Sequence, residues 1–141
     1  MAGYLATARV EIDASPERVW EVLLDPDATK EFMFGAEVET DWKPGSAITW
    51  TGEYEGKAYQ DKGEVLEAEP GRLLKVTHYS PLGGQPDVPE NYHTLTYELS
   101  GDGPTELSLS QDNNASEEEA EHSRGMWEML VQGVKKVAES G

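Results

Sequence analysis

Between residues 36 and 112 the chain reads as a run of short strands, and only one helix long enough to cover them follows. Candidate strands lie at 36–42, 47–54, 58–69, 72–80, 92–100 and 105–112. They are separated by Lys43-Pro44-Gly45-Ser46, Glu55-Gly56, Glu69-Pro70-Gly71, Gly83-Gly84-Gln85-Pro86 and Gly101-Asp102-Gly103-Pro104. Each separator carries turn chemistry, which suits successive antiparallel hairpins. Such a meander has one apolar face to bury. Residues 116–139 supply the cover, with Trp127, Leu130, Val131, Val134, Val137 and Ala138 at helical spacing. Ser116 with Glu119 forms a capping-box pattern, and Glu117, Glu118 and Glu119 complement the positive end of the helix dipole. Lys135 and Lys136 sit where the dipole favours cations. Only the second half of this helix is amphipathic, so that half is expected to be the firmly packed one.

Ahead of the meander, residues 4–13 alternate well enough for a first strand, with Leu5, Val10 and Ile12 as its apolar points. Ser15-Pro16-Glu17-Arg18 then opens a helix: Ser15 is a good N-cap and Pro16 fits the first turn. Arg18 stands where a capping box would want Glu. Asp25-Pro26 ends that helix and starts a second, short one towards Phe32-Met33-Phe34-Gly35. With 141 residues the chain is expected to form one domain, 1–141. The expected class is α+β: a curved antiparallel sheet of about seven strands around a long C-terminal helix, with two short helices after the first strand. The gap between sheet and helix is expected to remain a cavity.

Charge narrows the function. The sequence holds 28 Asp and Glu against 11 Lys and Arg, a formal net charge of −17. Nucleic-acid binding needs a basic footprint, and anionic membrane surfaces repel such a chain. There is no cysteine, which removes thiolate nucleophiles, disulfides and cysteine-ligated metals. No Walker loop, dinucleotide fingerprint, nucleophile elbow or metal-binding histidine spacing occurs, so neither metal nor cofactor is expected. Glu118 and His122 form an i, i+4 pair, read first as a surface pair. The N-terminus lacks a signal-like apolar run, and a cytoplasmic location is expected. The acidity is uneven: from Lys75 to Arg124 there is no intervening Lys or Arg, but there are ten acids. Alternating hairpin ends bring 55–57, 81–90 and 112–116 to one end of the sheet. Much of the charge is therefore expected around a pocket mouth there, disfavouring anionic ligands.

Strand alternation selects the inward side chains. Leu74, Val76 and His78 share a face, as do His93, Leu95, Tyr97 and Leu99; Leu107, Leu109 and Gln111; and Ile48, Trp50 and Tyr54 around Gly52. The expected pocket wall is Trp50, Tyr54, His78, His93, Tyr97 and Gln111, faced by Met126, Trp127 and Leu130, with Phe32 or Phe34 closing one end. Such a wall is mostly apolar with a few polar points that orient a ligand.

Longer stretches carry a resemblance. They are Ile12-Asp13-Ala14-Ser15-Pro16-Glu17-Arg18-Val19-Trp20 with Leu24 and Pro26, Trp42-Lys43-Pro44-Gly45-Ser46, and Gly63 through Leu74 with its Glu69-Pro70-Gly71-Arg72 turn. Thr94 through Leu99 and Thr105 through Leu109 complete the series. In this order and spacing the chain resembles the START/Bet v 1-like (SRPBCC) superfamily, in the branch similar to the C-terminal domain of the activator of Hsp90 ATPase. The resemblance implies a helix-grip fold. Members of the branch commonly place an aromatic residue where this chain has His78. Three readings follow. The first is a protein that binds a largely apolar, neutral or cationic small molecule between sheet and helix. The second is a cyclase/aromatase-like or hydrolase-like enzyme using His78 or His93 as base. The third is a partner of an Hsp90-type chaperone. The chain is expected to be a monomer or homodimer.

Overall fold

The computed structural model describes residues 4–33, 35–54, 56–79, 86–101, 104–114 and 116–140. Strand β1 (Tyr4–Ile12) leads into helices α1 (Pro16–Leu24) and α2 (Pro26–Phe32). Six strands follow: β2 (Glu37–Glu39), β3 (Ala47–Tyr54), β4 (Lys57–Glu69), β5 (Leu73–His78), β6 (His93–Ser100) and β7 (Thr105–Asn114). Helix α3 (Glu117–Ser140) closes the chain. All strand pairs are antiparallel, in the order β1-β7-β6-β5-β4-β3-β2. The fold is the expected α+β helix-grip, and the strands from β2 to β7 form the expected meander. Because β1 and β2 lie at opposite edges, α1 and α2 carry the chain from one edge to the other.

Local chemistry accounts for the helices. The Ser15 hydroxyl accepts from the Arg18 amide at 3.2 Å, and the Asp25 carboxylate accepts from the Asp27 amide at 2.9 Å. The Ser116 hydroxyl accepts from the Glu119 amide at 3.1 Å. Arg18 has a second task that explains the missing capping-box Glu. Its guanidinium donates to the Ala138 carbonyl at 3.4 Å and the Val137 carbonyl at 3.3 Å, at the negative end of α3.

Burial follows the helix and strand periods. Leu130, Val131 and Val134 of α3 are fully buried, with Ala120, Trp127 and Ala138 close behind. They meet Ile12, Leu107, Leu109 and Leu95 from the sheet and Val19, Val22 and Phe32 from the short helices. β7 runs to Asn114, beyond the expected end at 112, because two asparagines finish it. Asn113 adopts a left-handed φ of 59°, which Asn tolerates, and donates to the carbonyls of Glu90 (2.7 Å) and Tyr92 (3.1 Å). Buried Asn114 donates to the carbonyls of Tyr4 (3.0 Å) and Gln111 (3.2 Å). On the outer face Tyr79 stacks on Tyr92 at 5.3 Å, and Tyr92 donates to Asp87 at 2.6 Å, which also pairs with Lys62.

Two glycines of α3 differ in their surroundings. A Cβ on Gly133 would lie 2.8 Å from Phe32 Cβ and 3.2 Å from its Cα, so α2 packs directly on the helix backbone there. A Cβ on Gly125 would meet nothing within 4 Å. Gly125→Ala is therefore expected to raise stability by about 0.5–1 kcal/mol through helix propensity. Gly133→Ala is expected to lower it by about 1 kcal/mol, because overpacking against backbone outweighs that gain. Denaturant midpoints at unchanged slope check both signs.

Candidate functional site

The inward face is apolar at its centre and polar at the end where β3, β5 and β7 finish and β4 and β6 begin. Trp50 of β3 is buried, and Asp61 of β4 is its cross-strand partner, so both face inward. Gly52 pairs with Tyr59 one step nearer the hairpin. A Cβ on Gly52 would lie 2.7 Å from the Tyr59 hydroxyl, so the phenol occupies the space that glycine leaves. In β5, Leu74 and Val76 are buried, and His78 continues the same face.

A break in the β4–β5 ladder brings Asp61 and His78 together. Lys62 lies opposite Tyr79 and Val65 opposite Val76, which puts Gly63 opposite His78. The Glu64 amide donates to the Thr77 hydroxyl at 2.9 Å, and the Thr77 carbonyl turns against Gly63, 1.8 Å from where a Cβ would stand. With no side chain opposite it, His78 leans across to the diagonal neighbour, Asp61. Their Nε2 and Oδ2 atoms are 2.9 Å apart, and the side chains are 17% and 13% exposed. An ionised carboxylate only accepts, so the network assigns the ring proton to Nε2. The Trp50 ring stands edge-on to the imidazole, with centroids 4.9 Å apart at 69°. Two atoms of the pair, Asp61 Oδ1 and His78 Nδ1, are buried without a hydrogen-bond partner among the described residues. Tyr59 has its pKa raised, first by burial and then by the charge of Asp61.

Other expected wall residues are accounted for locally. His93 lies opposite His78 in β6, its Nδ1 2.8 Å from the Asp112 carbonyl. Buried Gln111 accepts from the Trp127 indole at 3.1 Å, tying β7 to α3. Tyr97 is buried, and burial pushes its phenol pKa well up. Phe32 and Leu130 are core residues. Met126 departs from the expectation: it is 42% exposed, because the buried stripe of α3 runs through Trp127, Leu130, Val131 and Val134 and leaves its neighbour on the flank. Phe34 lies outside the described residues, and Tyr54 is described only in its backbone. Asp61 and Tyr59 were not among the expected residues. Their phase with Val65 was the available signal, since it turns a carboxylate inward.

Between the short helices and the sheet, a space of about 10 Å³ is lined by Leu23, Phe32, Ile48, Trp50, Leu74 and Tyr97 among others, room for about one water. A far larger depression, about 710 Å³, opens at the other end of the sheet, where β2 turns into β3. The mouth was expected at the acidic end; of these two spaces, the larger lies at the opposite end. Thr29, Val38 and Trp42 line both spaces, so they form the partition between them. Trp42 does so at a φ of 58°, a strained conformation for a bulky residue.

Comparison with known proteins agrees with this architecture. The model of the family described as "Activator of Hsp90 ATPase homolog 1-like protein" matches residues 13–139. The chain belongs to that family. The matched residues run from the turn after β1 through α1, α2 and the meander into α3. The solution structure of ChR145 from Cytophaga hutchinsonii is similar at 44% identity and a TM-score of 0.85, over 99% of this chain and 97% of that one. The Aha1 dimer from Colwellia psychrerythraea is similar in fold, with 18% identity and a TM-score of 0.72 over 96% of each chain. CalU16 from Micromonospora echinospora shares the fold at 21% identity and a TM-score of 0.71, over 96% of this chain and 83% of that one. A comparison with curated proteins finds no match. Among the described residues no helix is long and apolar enough to cross a membrane.

For this family member, Gly63 is expected to be indispensable to the pair. Gly63→Ala should lower stability by roughly 2 kcal/mol or more, since the clash is with backbone. It should also part His78 from Asp61. Denaturation midpoints and the His78 ring resonances read the two effects, and an unmoved imidazole would contradict the geometry.

Proposed function

We propose that this protein is a cytoplasmic small-molecule-binding protein. Its ligand, largely apolar and neutral or cationic, lies against the inward face of the sheet, between the sheet and the helices. One observation carries the reading: Asp61 Oδ1 and His78 Nδ1 are buried acceptors without a partner among the described residues. Leaving such atoms unmet costs about 1–3 kcal/mol each, which a ligand donor would recover. The Trp50 ring beside them offers apolar contact. Trp50, Tyr54, His78, His93, Tyr97, Gln111, Trp127 and Leu130, with Phe32 or Phe34, form the proposed wall. The space already present is small, so a ligand is accommodated by side-chain displacement and its effects spread along the inward face.

A second reading has its own support. An imidazole whose Nε2–H is held by a carboxylate keeps Nδ1 as a base, the arrangement general acid–base catalysis uses. That favours His78 over His93 as the base of an enzyme acting on an enolisable or hydrolysable substrate. A chaperone-partner role, and assembly as a homodimer, rest on the family description and on the Aha1 dimer.

Titration of neutral, cationic and anionic apolar compounds followed by amide shifts tests the binding reading. Neutral and cationic compounds are expected to move Trp50, His78 and Tyr97 together, and anionic ones to leave them in place. Shifts confined to the outer surface with every compound would contradict it. His78→Ala that keeps full turnover on a substrate so found would remove the enzymatic reading.

A further inference from the structure

Resting on the binding reading, we infer that the polar end of the ligand is an organic cation, an ammonium or amidinium group that donates to Asp61 Oδ1 and His78 Nδ1 together. Both unmet atoms are acceptors once Nε2–H is given to Asp61 Oδ2. A carboxylate or phosphate brings no proton to either and meets the Asp61 charge. A carbonyl brings none, and a hydroxyl brings one proton for two acceptors. An amidinium or ammonium brings at least two, both charge-assisted.

Charge on the inward face points the same way. The carboxylate is nearly buried, and its partner among the described residues is an imidazole rather than a lysine or arginine. The surrounding inward positions hold Trp50, Tyr59, Gly63 and His93. The adjacent Lys62 points to the outer face, where it pairs with Asp87. A buried carboxylate without a cation is poorly compensated, and a ligand cation supplies the missing charge. The Trp50 ring next to the imidazole gives that cation a π surface. The net charge of −17 raises the local concentration of cations around the whole molecule.

Three probes of one shape test this: benzamidine, benzamide and benzoate, titrated into the protein at about 0.15 M salt, where long-range surface attraction is screened. Benzamidine is expected to shift Trp50, Asp61 and His78 and to bind about tenfold or more tightly than benzamide, with benzoate shifting none of them. In Asp61→Asn the benzamidine affinity is expected to fall to that of benzamide. Equal binding of benzamidine and benzamide, a preference that survives Asp61→Asn, or benzamidine shifts confined to the outer surface would each overturn the inference. The wild-type ranking decides even if the variant folds poorly. Neutral Nile red, read by its emission, separates the two levels. A dye that enters while the three amide analogues show no cation preference removes the cationic anchor and leaves the binding reading standing. Exclusion of the dye and of all three probes removes both.

Discussion

One long helix has to serve a seven-stranded sheet, and the consequences run through the molecule. The apolar stripe of α3 seats against β1 and β7, with Leu130, Val131 and Val134 fully buried. A helix is only about 10 Å across, so it cannot also cover β3, β4 and β5. The short helices α1 and α2 meet that need on the way from one sheet edge to the other. Phe32 lies directly on Gly133, where the second helix meets the third. The polar end of the inward face lies on β4 and β5. It is there that the sheet holds Asp61 and His78 instead of aliphatic side chains.

That polar end depends on backbone irregularity more than on side-chain choice. In a regular ladder the residue opposite His78 would fill the space between the strands. Gly63 leaves it empty, and the Thr77 carbonyl closes on the glycine while the Thr77 hydroxyl takes over an amide of β4. The imidazole can then reach a carboxylate two residues along. The cost of burying a charged group falls, because a hydrogen bond and a ring contact replace part of its hydration. It is not removed, since one oxygen and one ring nitrogen remain unmet among the described residues. Core packing elsewhere leaves about 10 Å³ next to Trp50. A filled apolar centre and an unfilled set of hydrogen bonds set this end apart from the core.

Much of the fold was legible in the sequence because its signals are local. Turn residues placed the strands from β3 to β7 within about two residues, and Ser15, Pro16, Asp25 and Ser116 marked helix starts through capping. Alternation identified the inward members of β3, β5, β6 and β7. It did less for β4, where Tyr59, Asp61 and Gly63 face inward and Gln60, Lys62 and Glu64 face out. Both series look polar, so period alone does not say which is buried. Met126 was misplaced because it adjoins Trp127, and neighbours on a helix point about 100° apart. Arg18 breaks the capping-box pattern because its guanidinium is used at the end of α3, a contact 119–120 residues away in sequence. Periodicity says which side chains face a space, not how completely they fill it; the space lined by Trp50, Leu74 and Tyr97 holds about 10 Å³. The pairing of Asp61 with His78 is a property of the ladder break, which no spacing announces.

Asp61 holds the proton of His78 on Nε2 and leaves Nδ1 as a buried acceptor. Long-range proton–nitrogen correlation of the imidazole at neutral pH measures this directly. A protonated Nε2 and a bare Nδ1 are expected in the wild-type protein. A proton on Nδ1, or rapid averaging between the two nitrogens, would contradict it.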